Sequence, residues 1–177
     1  ATVNLILSDA SATVGGIDLP TIDFATATLN ISGAGALDAN TVTAASINAA
    51  GATGALDIAL VGAATVGTVT TGSGADILTQ TTADLTTGGY TLSTGAGADT
   101  ITLLASADST VDGGDGVDEV NFSGNYTARA MSLSNVEVLD INSTSTVDSS
   151  MITGFTGVVK DAQTGTATIN VTVDGST

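Results

Sequence analysis

Three short phrases hold the residues of this chain best suited to chemistry. They are Gly72-Ser73-Gly74-Ala75-Asp76-Ile77-Leu78, Gly95-Ala96-Gly97-Ala98-Asp99-Thr100-Ile101 and Gly114-Asp115-Gly116-Val117-Asp118-Glu119-Val120. Each reads Gly-x-Gly-x-Asp-x-apolar. Glycine at alternate places frees the backbone to aim carbonyl oxygens at one point, and the Asp carboxylate closes the site. The final apolar residue, Leu78, Ile101 or Val120, then enters the core. An all-oxygen donor set of this kind suits a hard divalent cation, Ca²⁺ above all. One such phrase alone is an ordinary turn, in which Gly permits positive φ and Asp bonds local backbone. Three copies separated by 23 and 19 residues point instead to a repeated metal turn. Asp112 and Asp115 enrich the third copy and are candidates for extra ligands, with a solvated acidic face as the simpler alternative.

These spacings also indicate what positions the phrases. About twenty residues at ~3.3 Å each make two or three short strands plus turns, one coil of a solenoid. A second recurring phrase is apolar–Asn/Asp–apolar: Val3-Asn4-Leu5, Ile22-Asp23-Phe24, Leu29-Asn30-Ile31, Leu56-Asp57-Ile58, Val120-Asn121-Phe122, Leu139-Asp140-Ile141 and Ile169-Asn170-Val171. Period-two alternation of this sort is a strand with its apolar pair turned inward. Asp38 and Asp57 precede Asp76 at 19-residue intervals, but each follows a Leu and is displaced relative to the glycines, which assigns both to strands. Gly and β-branched residues interrupt every helical window, so little or no helix is expected. A sandwich of hairpins would show turns every ~8–12 residues instead of this longer recurrence. The expected fold is all-β, a right-handed parallel β-helix or β-solenoid with glycine-rich turns. It forms a single domain over residues 1–177, with its clearest motif region at 70–142.

Composition narrows the partners. Eighteen acidic residues, sixteen of them Asp, face only Arg129 and Lys160, for a formal charge of −16. Nucleic acid and anionic membrane are excluded as partners by that charge, and cations are favoured. No stretch approaches membrane-spanning length, so no membrane insertion is expected. The chain has no Cys, hence neither disulfides nor thiolate metal sites, and bound calcium could supply the missing cross-links. The five aromatics, Phe24, Tyr90, Phe122, Tyr126 and Phe155, leave a thin core of Ala, Val, Ile and Leu. The opening ATVNLIL is strand-like, as in a piece of a longer chain.

The glycine phrases resemble the nonapeptide of RTX proteins, and their sparse use within Thr/Ala-rich sequence resembles RTX-containing surface-layer proteins of Gram-negative bacteria. GGDGVDEVNFSG from Gly113, followed by SLSNVEVLDINST from Ser132, is similar to a unit recurrent in that family. The match is specific over roughly residues 70–142 and compositional elsewhere. Here the phrases are separated by other sequence, whereas the family's arrays run on without interruption, so fewer ions are implied. The resemblance implies carbonyl ligands at Gly72, Gly74, Gly95, Gly97, Gly114 and Gly116, and carboxylate ligands at Asp76, Asp99 and Asp118. It further implies calcium-triggered folding, secretion, and a place in the extracellular surface layer (S-layer) of a bacterium.

Rival functions are weaker. A polysaccharide lyase needs cations and a base, yet the chain has no His and only two cationic side chains. Phosphate loops are excluded because no Lys-Ser/Thr follows the glycines. Ice binding would need a flat Thr rank, but Thr68-Val69-Thr70 precedes its glycine turn while Thr100-Ile101-Thr102 follows one, so no continuous rank is expected. The expected function is structural and non-enzymatic: a calcium-stabilised solenoid that packs with copies of itself into a two-dimensional cell-surface lattice. The alternative is a calcium-dependent RTX adhesin or stalk module, with cell-surface polysaccharide as a further partner.

Overall fold

A computed structural model describes residues 1–8, 16–61, 67–81, 89–104, 108–123, 125–126, 130–141, 146–148, 152–160 and 168–170. Every strand pairing in it is parallel, and no helix occurs among the described residues. The chain is a parallel β-solenoid of about six turns. Each coil crosses one sheet face, turns a tight corner, and returns along a second.

Downstream of the corner, the stack runs Leu56–Leu60, Ile77–Gln80, Thr100–Leu104, Glu119–Ser123, Val138–Ile141 and Val158–Lys160. Upstream of it lie Thr68–Thr70, Thr91–Ser93, Ser109–Asp112, Met131–Ser134 and Ile152–Thr153. The long strand Leu37–Ala52 joins both stacks, pairing with Leu56–Leu60 through its first half and with Thr68–Thr70 through its second.

The register explains the core. Ile58, Leu78, Ile101, Val120 and Leu139 stack in one inward column, and Val69, Leu92, Val111 and Leu133 face them from the other sheet. All nine are buried, each contributing about 1.5–3 kcal/mol in proportion to its apolar area. The alternate positions Thr79, Thr102, Asn121 and Asp140 point outward, as period two requires. Small residues and a single layer from each face leave room for only a few larger side chains, chiefly Phe122 and Tyr90.

The apolar–Asn/Asp–apolar phrases all lie on strands, except that Val171 falls outside the described residues. Phe24 departs from the inward rule and stays 37% exposed near the N-terminal edge. Asp38 and Asp57 sit side by side on strands, and the partner of Asp57 in the next coil is Ile77, so neither belongs to the glycine turns.

Candidate metal centre

Where each coil turns from one face to the other, a single column of residues runs the length of the solenoid. Leu37 pairs with Leu56. The pairings Asp57–Ile77, Ile77–Thr100, Thr100–Glu119 and Glu119–Val138 then put Asp76, Asp99, Asp118 and Glu137 next in that column. Successive members stand one coil apart, ~4.8 Å. Two buried leucines are thus followed by three aspartates that are 1%, 1% and 0% exposed.

The carboxylates replace a backbone acceptor. In the N-terminal coils the corner amide finds a carbonyl in the next coil: Ile17 N–H donates to Ala36 O, and Leu37 N–H to Ala55 O, both at 3.0 Å. From Leu56 onward the acceptor is a side chain. Leu56 N–H donates to Asp76 Oδ1 at 2.9 Å, Asp76 N–H to Asp99 Oδ1 at 2.7 Å, and Asp99 N–H to Asp118 Oδ1 at 2.9 Å. Asp118 N–H completes the ladder by donating to Glu137 Oε2 at 2.8 Å.

One oxygen of each aspartate is therefore satisfied, and the other is not. Oδ2 of Asp76, Asp99 and Asp118 is buried without a hydrogen-bond partner. The Thr71 and Thr94 hydroxyls stand beside the first two carboxyls. Each, however, gives its single proton to a backbone carbonyl, Thr94 O and Gly113 O respectively, at 2.8 Å. A buried charged oxygen with no partner is costly, and the titration reflects it. Burial, reinforced by the Asp99 charge, pushes the Asp76 carboxyl up to about 6 against the lowering pull of the nearby Thr71 hydroxyl and of the Leu56 and Gly72 amides. Burial likewise raises Asp99. Asp118 is raised by burial first and then by the charges of Asp99, Glu137 and Asp112.

No family model, curated protein or solved structure matches this chain.

Glycine has two roles at the corner. In the second and third turns, Gly95 and Gly114 adopt φ of 88° and 89°, and Gly97 and Gly116 adopt 148° and 151°, so the two turns share one conformation and pair as Ala96–Asp115 and Gly97–Gly116. Gly72 and Gly74 differ from the sequence expectation, since neither has positive φ. They are glycine for space: a Cβ would lie 1.8 Å from Ala52 O at position 72 and 2.6 Å from Gly54 O at position 74. The same close stacking places Gly97 against Gly74 O and Gly116 against Gly97 O. Carbonyl oxygens thus line the corner beside the aspartates, although Gly72 O and Gly95 O each already accept an N–H from the next coil.

Asp112 is half-buried at a strand end, where its Oδ1 accepts from Asn135 Nδ2 at 2.7 Å, and its charge reaches Asp118. Asp115 is exposed in the Ala96 column, away from the buried row. Glu137, which strand patterning did not single out as a ligand, is the column's fourth acid. Its offset of 19 residues from Asp118 repeats the preceding interval and was the available signal.

Among the described residues no three carboxylates gather round one point. A cation here would take one or two aspartate oxygens together with backbone carbonyls. The donors fit: they are all oxygen, their charge is uncompensated, and each aspartate has one oxygen to give.

Proposed function

We propose that the buried aspartate column holds calcium, and that the chain is a structural, non-enzymatic solenoid of a bacterial surface layer whose coils become rigid when the ion binds. One observation carries the metal reading. Three in-register buried carboxylates each keep an unpartnered oxygen at a position where Leu37 and Leu56 show that leucine builds the same corner. One oxygen of each carboxylate already serves the corner amide of the preceding coil, and it is the second oxygen, which that duty leaves unused, that answers to a ligand. Charge repulsion between stacked carboxylates opposes coil closure, and a divalent ion between them converts it to attraction. Affinities of about 10⁻⁴–10⁻³ M, the extracellular range, would tie folding to arrival outside the cell.

The net charge of −16 supports the further step to a lattice. Copies of so acidic a chain repel one another unless a cation intervenes, so calcium on the surface would gate lateral packing as well as folding. Far-UV circular dichroism and sedimentation of EDTA-treated protein, titrated with calcium against a magnesium control, test both steps. Strand signal and assembly rising together with calcium alone are the expected result. Strand signal without assembly would move the chain to an isolated adhesin or stalk module. A fold and a sedimentation profile indifferent to EDTA would remove calcium from the account.

A further inference from the structure

On the sheet face upstream of the corner no Thr-x-Thr rank forms, as expected, because the second outward place runs Thr70, Ser93, Asp112 and Ser134. Thr68 and Thr100 do fall on different stacks, but Thr68, Thr91, Thr110, Ser132 and Thr153 are direct partners in successive coils. A continuous rank of exposed hydroxyls results, one every ~4.8 Å along the solenoid axis. Beside its last four members lies a groove of about 230 Å³, bordered by Asp108 and floored by the buried Met131. Asp108 is held in place, since its Oδ1 accepts the Ala130 N–H of the next coil at 2.8 Å.

We propose that this groove binds a neutral glycan chain lying along the solenoid axis, with one protein hydroxyl per coil meeting the sugar hydroxyls and Asp108 accepting from them. The surrounding chemistry eliminates other ligands. Thr91–Ser93 and Ser109–Asp112 are each hydrogen-bonded to a strand on both sides, so no peptide strand can be added there. Among the described residues no cationic side chain lines the groove, so phosphates and anionic polymers find no counter-charge there. The groove's apolar lining is limited to Ala130 and the buried Tyr90 and Met131, too little surface for a lipid chain. What remains is an uncharged ligand whose groups both donate and accept, as Ser and Thr hydroxyls do. Threonine is stiff at χ1, so the rank is largely ordered before binding. The groove is smaller than a drug-sized pocket, which suits one or two sugar rings of a chain that continues past it. Neither the calcium site nor lattice assembly enters this inference.

Isothermal titration of the full chain in calcium with cellohexaose, chitohexaose and mannohexaose is the test. At least one hexasaccharide should bind. Thr110→Val should weaken that binding about 3–10-fold, as should Asp108→Asn, while Thr102→Val on the opposite face leaves it unchanged. Valine suits a strand, and circular dichroism of each variant verifies its fold. Failure of all three sugars to bind at ~1 mM affinity or better would overturn the proposal, and so would binding indifferent to both groove variants. A chain that binds sugar yet does not assemble with calcium sinks the lattice reading alone. Assembly without sugar binding sinks this one alone.

Discussion

The corner column is built twice, with leucine in the N-terminal coils and with aspartate from residue 76 onward. Both versions close the same turn and satisfy the same corner amide, by the carbonyls of Ala36 and Ala55 in the first region and by carboxylate Oδ1 atoms in the second. The leucine coils gain apolar burial and bury no carboxylate, although the Leu56 amide takes its acceptor from Asp76. The aspartate coils carry a second buried oxygen with nothing bound to it. On the proposed reading, one solenoid contains a half that needs no cation and a half that closes fully only with one, and the substitution at one column separates them.

The sharpest way to break this comparison is to remove calcium. At a calcium concentration of about one hundred Kd, each site contributes roughly 2.7 kcal/mol to folding, so EDTA should cost the aspartate coils more than any single substitution. Hydrogen exchange read by mass spectrometry should show residues 76–139 losing protection in EDTA, while residues 27–60 keep theirs.

A glycine substitution comes next. Gly116→Ala forces a side chain into φ 151° with its Cβ 1.5 Å from Gly97 O, at an expected cost of about 2–3 kcal/mol. Gly51→Ala meets only the Ser32 side chain at 3.3 Å and should stay within about 0.5 kcal/mol of the parent in a denaturant melt.

Separating the two jobs of an aspartate gives a smaller effect. Asp99→Ala removes the acceptor of Asp76 N–H and should cost about 1–3 kcal/mol without calcium, and more with it because the ion's contribution is lost too. Asp99→Asn keeps an acceptor and loses the charge, so its metal-free midpoint should match or exceed the parent's while its response to calcium shrinks.

Acid supplies the mildest perturbation. The Asp76 pKa is 3.8 unfolded and about 6 folded, so between these values the folded chain binds more protons than the unfolded one, and stability falls as pH rises. This contribution is complete below pH 3.8 and lost above about 6. In EDTA, thermal melts at pH 4.5 should exceed those at pH 7, and saturating calcium should reduce or reverse that order.

Much of the fold was legible from two periods. Alternation in phrases such as Val120-Asn121-Phe122 gave strands with an inner and an outer face, and the spacing of Asp76, Asp99 and Asp118 gave the coil. Leu56 and Asp76 were not legible as equivalents, because a hydrophobic residue and an acid share no pattern and only the three-dimensional register aligns them. The displacement of Asp57 from the glycines hinted at that register. Glu137 was obscured because no glycine phrase precedes it, although its interval was correct. The hydroxyl rank escaped a search for Thr-x-Thr, since Thr91-Leu92-Ser93 and Thr110-Val111-Asp112 vary at the second outward place while the first stays in line.

The central claim is tested most directly by calcium calorimetry on the parent chain beside the triple variant Asp76→Asn, Asp99→Asn, Asp118→Asn. The parent should bind calcium with an affinity of roughly 10⁻⁴–10⁻³ M, and the triple variant, folded by circular dichroism, should lose that binding. Indistinguishable isotherms for the two proteins would contradict the account and show that the buried column is not where calcium acts.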